Sequence, residues 1–192
     1  MPYYISMIFF TADIHSFHTN IIKYENRPFK TSEEMNEVIK FNWNSIISEK
    51  DDVYILGDVG FTSPNKMYSF LTELKGNKYL IIGNHDKSLL KDSQVRSQFI
   101  WCKDYFKLKH ANEKIILFHY PIYSWDCKHH SSWHLHGHVH TTSHEDFYYP
   151  TKLNVGMDLW NFTPVSFDQV KKKINDNLSK ENINENSYPI RR

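Results

Sequence analysis

Cysteine is scarce: Cys102 and Cys127 are the only two, too few for a disulfide framework and without the paired spacing of a cysteine metal site. No charge of one sign dominates either. Twenty-three lysines and arginines stand against 22 aspartates and glutamates, a balance that gives no field demanding a nucleic acid or a membrane surface. Long hydrophobic runs are also missing, and no stretch approaches membrane-spanning length. The apolar start, Met1 to Phe10, has no basic segment and runs straight into Asp13, so it reads as a first strand rather than a signal peptide. Internal repeats and low-complexity linkers are absent as well. These absences exclude a disulfide-stapled scaffold, a membrane span and a strongly basic nucleic-acid binder. The default is a protein of a reducing compartment, expected to be cytoplasmic.

What is present is a foldable chain of 192 residues, 40% hydrophobic and 16% aromatic, enough for one domain with a substantial core. That domain is expected over residues 1–178. The polar, asparagine-rich tail 179–192 is expected outside it and partly disordered. Histidine is the unusual residue: there are 12, and seven fall between His129 and His144.

Hydrophobic pattern places the elements. Ile5–Thr11, Val53–Leu56 and Tyr79–Ile82 read as buried strands, each followed by polar or glycine positions. Thr31 with Glu34 forms a capping-box signature, and Met35, Val38, Ile39, Trp43, Ile46 and Ile47 then recur at helical spacing. A second helix is expected over Asn65–Leu74 and a helical turn around Ser88–Gln98. Tyr105–Lys109 and Lys114–Phe118 flank a short polar loop and read as a hairpin. Trp133–His136 and Lys152–Val155 are further strands, and Ser166 with Gln169 caps a last helix, Phe167–Leu178. Strands alternating with helices, followed by hairpins, indicate an α/β sandwich of two sheets packed inside helices.

Five of these strands share a feature. Each stops within a residue or two of a potential metal ligand: Asp13 and His15, Asp58, Asn84 and His85, His119, then His138 and His140. Sites gather beyond the carboxyl ends of parallel strands, so the five segments are expected to converge. Carboxylate, imidazole and one amide without thiolate suit Mn2+, Fe or Zn2+ rather than a closed structural zinc site. Gly57, Gly83 and Gly137 immediately precede ligand positions, where they permit sharp turns and close backbone approach.

The ordered set Asp13-Ile14-His15, Gly57-Asp58, Gly83-Asn84-His85-Asp86, His119 and Gly137-His138-Val139-His140 resembles the five-block signature of the calcineurin-like metallophosphoesterases. Asn26-Arg27-Pro28-Phe29, His119-Tyr120-Pro121 and Asn154-Val155-Gly156-Met157-Asp158 are similar to the small stand-alone bacterial and phage members. The resemblance implies a four-layer sandwich of two mixed sheets flanked by helices, with a dinuclear metal site at the strand ends. It further implies one divalent ion, Mn2+ foremost, on Asp13, His15 and His140, and a second on Asn84, His119 and His138. Asp58 would bridge them. His85 would act beside the metals as acid or transition-state stabiliser, while a metal-bridging water or hydroxide attacks a phosphate ester.

The second block departs from the protein-phosphatase branch, which reads Gly-Asp-x-x-Asp-Arg where this chain has Gly57-Asp58-Val59-Gly60-Phe61-Thr62. The carboxylate that orients the catalytic histidine and the arginine that grips phosphate are both missing, which leaves Asp86 as the candidate to position His85. The candidate substrate contacts are His18, Arg27, Lys23 and Tyr120, with Tyr123 and Trp125 as pocket walls. The expected substrate is a small phosphodiester or nucleotide-like ester. A nuclease of the same superfamily and a non-catalytic scaffold for a partner protein are the alternatives, and the oligomeric state is left open.

Overall fold

A computed structural model describes the backbone of residues 6–141 and 149–187, with side chains up to residue 180. Ile5 and His144 lie outside the described residues. The first sheet takes its order from alternating runs. Strands β1 (Ile8–Thr11), β2 (Asp52–Ile55), β3 (Asn77–Ile81) and β4 (Trp101–Lys103) pair in parallel. Phe9, Val53, Ile55 and Leu80 point to one face, while Phe10, Tyr54, Leu56 and Ile81 point to the other.

The outer face is covered by α2 (Ser32–Ile46) and α3 (Pro64–Thr72). Helix α2 starts where its capping signature places it: Thr31 Oγ1 accepts from Glu34 N at 3.1 Å, and the Glu34 carboxylate accepts from Lys30 N. Its Met35, Ile39 and Trp43 then bury together with Met67, Phe70 and Leu71 of α3.

The second sheet runs β5 (Tyr105–His110), β6 (Glu113–Phe118), β7 (Trp133–His136) and β8 (Lys152–Asn154). Only β5 and β6 are antiparallel; β6, β7 and β8 are parallel. Ile115, Leu117, Leu135 and Leu153 face the first sheet and fill the core between the two. On the other face of this sheet the 120–132 loop supplies Trp125, whose ring lies 5.3 Å from that of His134.

Besides single helical turns at Lys128–His130 and Met157–Leu159, the sequence reading missed α1 (Thr19–Tyr24), β4, and β9 (Val165–Ser166), which pairs antiparallel with β1 and makes the first sheet mixed. They are too short to show a period. The last helix, α5 (Phe167–Ser187), begins with the reciprocal bonds Gln169 N to Ser166 Oγ and Ser166 N to Gln169 Oε1. It continues past Leu178 to Ser187, through the stretch expected to be tail. No helix among the described residues is long and apolar enough to cross a membrane.

Candidate metal centre

The carboxyl ends of β1, β2, β3, β6 and β7 open onto one rim. Beyond β1 and β2 the chain does not diverge at once: Asp13 N, His15 N and Ser16 N donate to Gly57 O, Asp58 O and Val59 O, each at 3.0 Å. This pairing is held in left-handed backbone at Asp13 (φ 54°), His15 (φ 49°) and Asp58 (φ 58°). Side chains rarely adopt that region, so surrounding contacts must stabilise it. A Cβ on Gly83 would collide with the Asp58 carboxylate, and one on Gly57 with the His119 ring. Glycine is what lets these loops touch.

Asp86 does not orient His85. It is buried, and its carboxylate accepts from Asp58 N (2.9 Å), Val59 N (2.9 Å) and Gly83 N (2.7 Å), tying the second ligand loop to the third. Asp58 answers by accepting from His85 N at 2.9 Å.

Two groups of ligand atoms result. Those of Asp13, His15 and His140 lie within 4.8 Å of one another, as do those of Asp58, His119 and His138. Asn84 Oδ1 joins the second group, 2.9 Å from His119 Nε2 and 3.1 Å from His138 Nδ1. Asp58 Oδ2 sits between the groups, 3.5 Å from His119 Nε2 and 3.8 Å from His15 Nε2.

Whether these residues fit metal ions is tested by His15. It is 4% exposed, and neither ring nitrogen has a hydrogen-bond partner. A buried, unpartnered imidazole is costly unless something absent from the polypeptide completes it. Burial also pushes the His15 pKa down to about 3, keeping the ring in the neutral form that binds metals. Burial pushes the Asp13 carboxyl up to about 6 in the metal-free protein, against the pull of His140 and His119. A cation would displace that proton. His119 donates Nδ1–H to Leu56 O at 2.7 Å, which leaves Nε2 as its ligand atom. The residues fit two hard or borderline divalent ions.

Around this rim the remaining candidates divide. His85 is exposed, its ring 5.8 Å from His15. His18 is half-buried, 5.8 Å from His15. Phe61 packs against both His18 and His85, at 4.7 Å each. It was not nominated from sequence, although it occupies the place of the missing carboxylate in the second block. Tyr120 is partly exposed and stacks edge-on against His138 (4.7 Å) and His119 (4.9 Å).

Four expected contacts lie elsewhere. Arg27 is buried, its guanidinium consumed by Asp158 and by backbone carbonyls, so it offers nothing to phosphate. Trp125 is buried beneath the loop and donates to Ser132 O. Tyr123 packs on Tyr149 and Lys128. Lys23 stands exposed on α1. His134 and His136 are buried in β7, and His134 Nε2 accepts from Ile122 N, fixing the loop that follows His119. His129 and His130 are exposed on a turn.

Paired groups of carboxylate and imidazole, joined by one aspartate at the strand ends of two mixed sheets, define a dinuclear metallohydrolase centre. The chain belongs to the calcineurin-like phosphoesterase family, which matches residues 6–161. It is 32% identical over 184 residues to uncharacterized protein MJ1445 of Methanocaldococcus jannaschii, covering 93% of this chain and 97% of that one. Gene 66 protein of Mycobacterium phage D29 is 26% identical over 200 residues, covering 90% and 98%. A solved structure of AQ665 from Aquifex aeolicus, a protein of unknown function, superposes with a TM-score of 0.70 at 25% identity, covering 88% and 99%.

Proposed function

We propose that this chain hydrolyses phosphodiesters of small, nucleotide-like type, using two divalent ions, Mn2+ foremost. Asp13, His15 and His140 would hold one ion and Asn84, His119 and His138 the other, with Asp58 shared between them. When bound, such a pair supplies Lewis-acid charge to the phosphoryl oxygens and lowers the pKa of a water. The reaction forms one P–O bond to the water oxygen and breaks the ester P–O bond. The leaving oxygen must then collect a proton, and exposed His85 beside the ligand groups is placed to give it. Phe61, packed on the His85 ring, replaces a hydrogen-bonded carboxylate as the contact that holds it.

The observation carrying the diester preference is that, among the described residues, no guanidinium is free at the rim. The described residues hold two arginines: Arg27 is spent on Asp158, and Arg96 lies on α4 (Ser93–Arg96) near Cys102. A phosphomonoester dianion wants a planar fork of donors for its extra charge; a diester does not. Exposed aromatic surface flanks both ligand groups, Phe61 on one side and Tyr120 on the other, and suits the two substituents of a diester. The test is kcat/KM for bis-p-nitrophenyl phosphate against p-nitrophenyl phosphate in the same Mn2+ buffer. A clear preference for the monoester rules the reading out. Cyclic and linear nucleotides and short oligonucleotides, screened next, separate a nucleotide diesterase from a nuclease.

A further inference from the structure

We infer that Arg27 and Asp158 form a clamp that sets His140 and the first ligand loop, and so controls affinity at the Asp13–His15–His140 position without governing the other. This rests on the reading of the rim as a metal centre. Asp158 follows a sixth strand end, in a segment that the sequence reading singled out without giving this residue a role. After β8, Met157 N donates to Ala12 O at 3.0 Å, which draws the 154–158 segment alongside the first ligand loop. Asp158 Oδ2 then lies 2.7 Å from His140 Nδ1. A carboxylate only accepts, so Nδ1 carries the hydrogen and Nε2 keeps the lone pair a metal needs.

Arg27 fixes the carboxylate in turn. Its Nε and Nη2 donate to the two oxygens of Asp158 at 2.7 and 2.8 Å. The second hydrogen of Nη2 goes to Asp13 O at 2.9 Å, and Nη1 donates to Ile14 O at 3.0 Å and meets Met35 Sδ at 3.3 Å. All five guanidinium N–H groups are thereby used, in a side chain with no solvent exposure. Two of them land on carbonyls of the stretch where Asp13 and His15 hold left-handed φ. One residue thus joins the ligand loop after β1 to the partner of the ligand after β7. Lysine cannot do this, because the geometry is a planar fork with fixed angles. Among the described residues no charged side chain outside the ligand set is bonded to a ring of the second group; His119 rests on a backbone carbonyl, and Asp86 ties the Asp58 and Asn84 loops through backbone N–H groups only.

Titration of the full-length metal-free chain with Mn2+, followed by EPR of the free ion, tests the clamp. Wild type should show two binding events. Asp158→Asn and Arg27→Lys should each weaken one event by roughly 10–100-fold and leave the other in place. The loss in Asp158→Asn should vanish on a His140→Ala background and persist on a His138→Ala background. Equal weakening of both events, or additivity with His140→Ala, overturns the clamp while leaving the metal centre standing. No paired binding in wild type overturns both. A second measurement needs no variant: long-range 15N–1H spectra of wild type should show His140 as the Nδ1–H tautomer, and an Nε2–H tautomer contradicts the proposal.

Discussion

The two ligand groups are built differently although they share one carboxylate. In the first, Asp13 and His15 are buried, and the Arg27–Asp158 pair holds His140 from behind. In the second, His119 is buried but Asn84 and His138 are exposed; the His119 ring rests on a backbone carbonyl, and buried Asp86 ties the loops of Asp58 and Asn84 through backbone N–H groups alone. The first is a rigid socket whose residues are over-determined by their neighbours. The second faces solvent, where an ion would exchange faster. The two groups thus differ in the packing around them more than in ligand type, each combining imidazoles with an oxygen donor.

The change with the largest expected effect erases the comparison. Asp58→Asn removes the charge common to both groups and should weaken both ions by more than the roughly 100-fold that loss of an outer partner costs. Elemental analysis after dialysis checks it, and full occupancy would show that Asp58 is not shared. Next is His85→Ala, which should leave both ions bound and lower turnover about 10²–10⁴-fold. The deficit should shrink for p-nitrophenolate, which needs little protonation. A deficit equal for all leaving groups would assign His85 to charge stabilisation alone.

Arg27→Ala breaks a buried ion pair and leaves the Asp158 carboxylate with His140 as its one remaining side-chain partner among the described residues, which should cost about 3–5 kcal/mol of stability in denaturant unfolding. With Mn2+ held at a concentration that fills both positions, phosphate inhibition of the surviving folded enzyme should be unchanged, because the Arg27 guanidinium is taken up by Asp158 and backbone carbonyls and makes no contact with phosphate.

How far the sequence carried can be judged from Arg27. The five ligand-bearing strand ends were legible because short apolar runs ending at glycine or polar positions are local signals, and the ligand types repeat at each. Arg27 was misread as a phosphate contact because its partner Asp158 lies 131 residues away, a distance no local pattern spans. Asp158 stood in a segment already singled out, without any feature to mark its role. Phe61 was visible as a departure in the second block, but only packing shows that its ring meets His18 and His85. The short β4 and β9 gave no period to read.

A pH prediction concerns the support of the open side. Burial drives the His134 pKa down to about 3, so the folded chain keeps this ring neutral while an unfolded one protonates near 6.5. The unfolded state therefore binds more protons between those values. The contribution of His134 is complete above about pH 6.5 and is lost as pH falls toward 3, at roughly 1.4 kcal/mol per pH unit. His134→Gln should flatten that part of the stability profile of the metal-free protein. An unchanged profile would mean that other groups set it. The smallest expected effect is at the aromatic flanks: Phe61→Ala and Tyr120→Ala should each lower kcat/KM for aryl diesters by a few-fold to about tenfold, as lost ring contacts do. Equal losses on dimethyl phosphate would remove their role in recognising substituents.

The central claim is that these strand ends form a paired metal centre for phosphoester hydrolysis. Its most direct test is to strip the chain of metal, add back Mn2+ in steps, and follow bound metal and bis-p-nitrophenyl phosphate hydrolysis together. The account expects activity to be absent without metal and to rise as occupancy passes from one ion per chain to two. Full activity in the stripped protein, or a plateau at one ion, would contradict it.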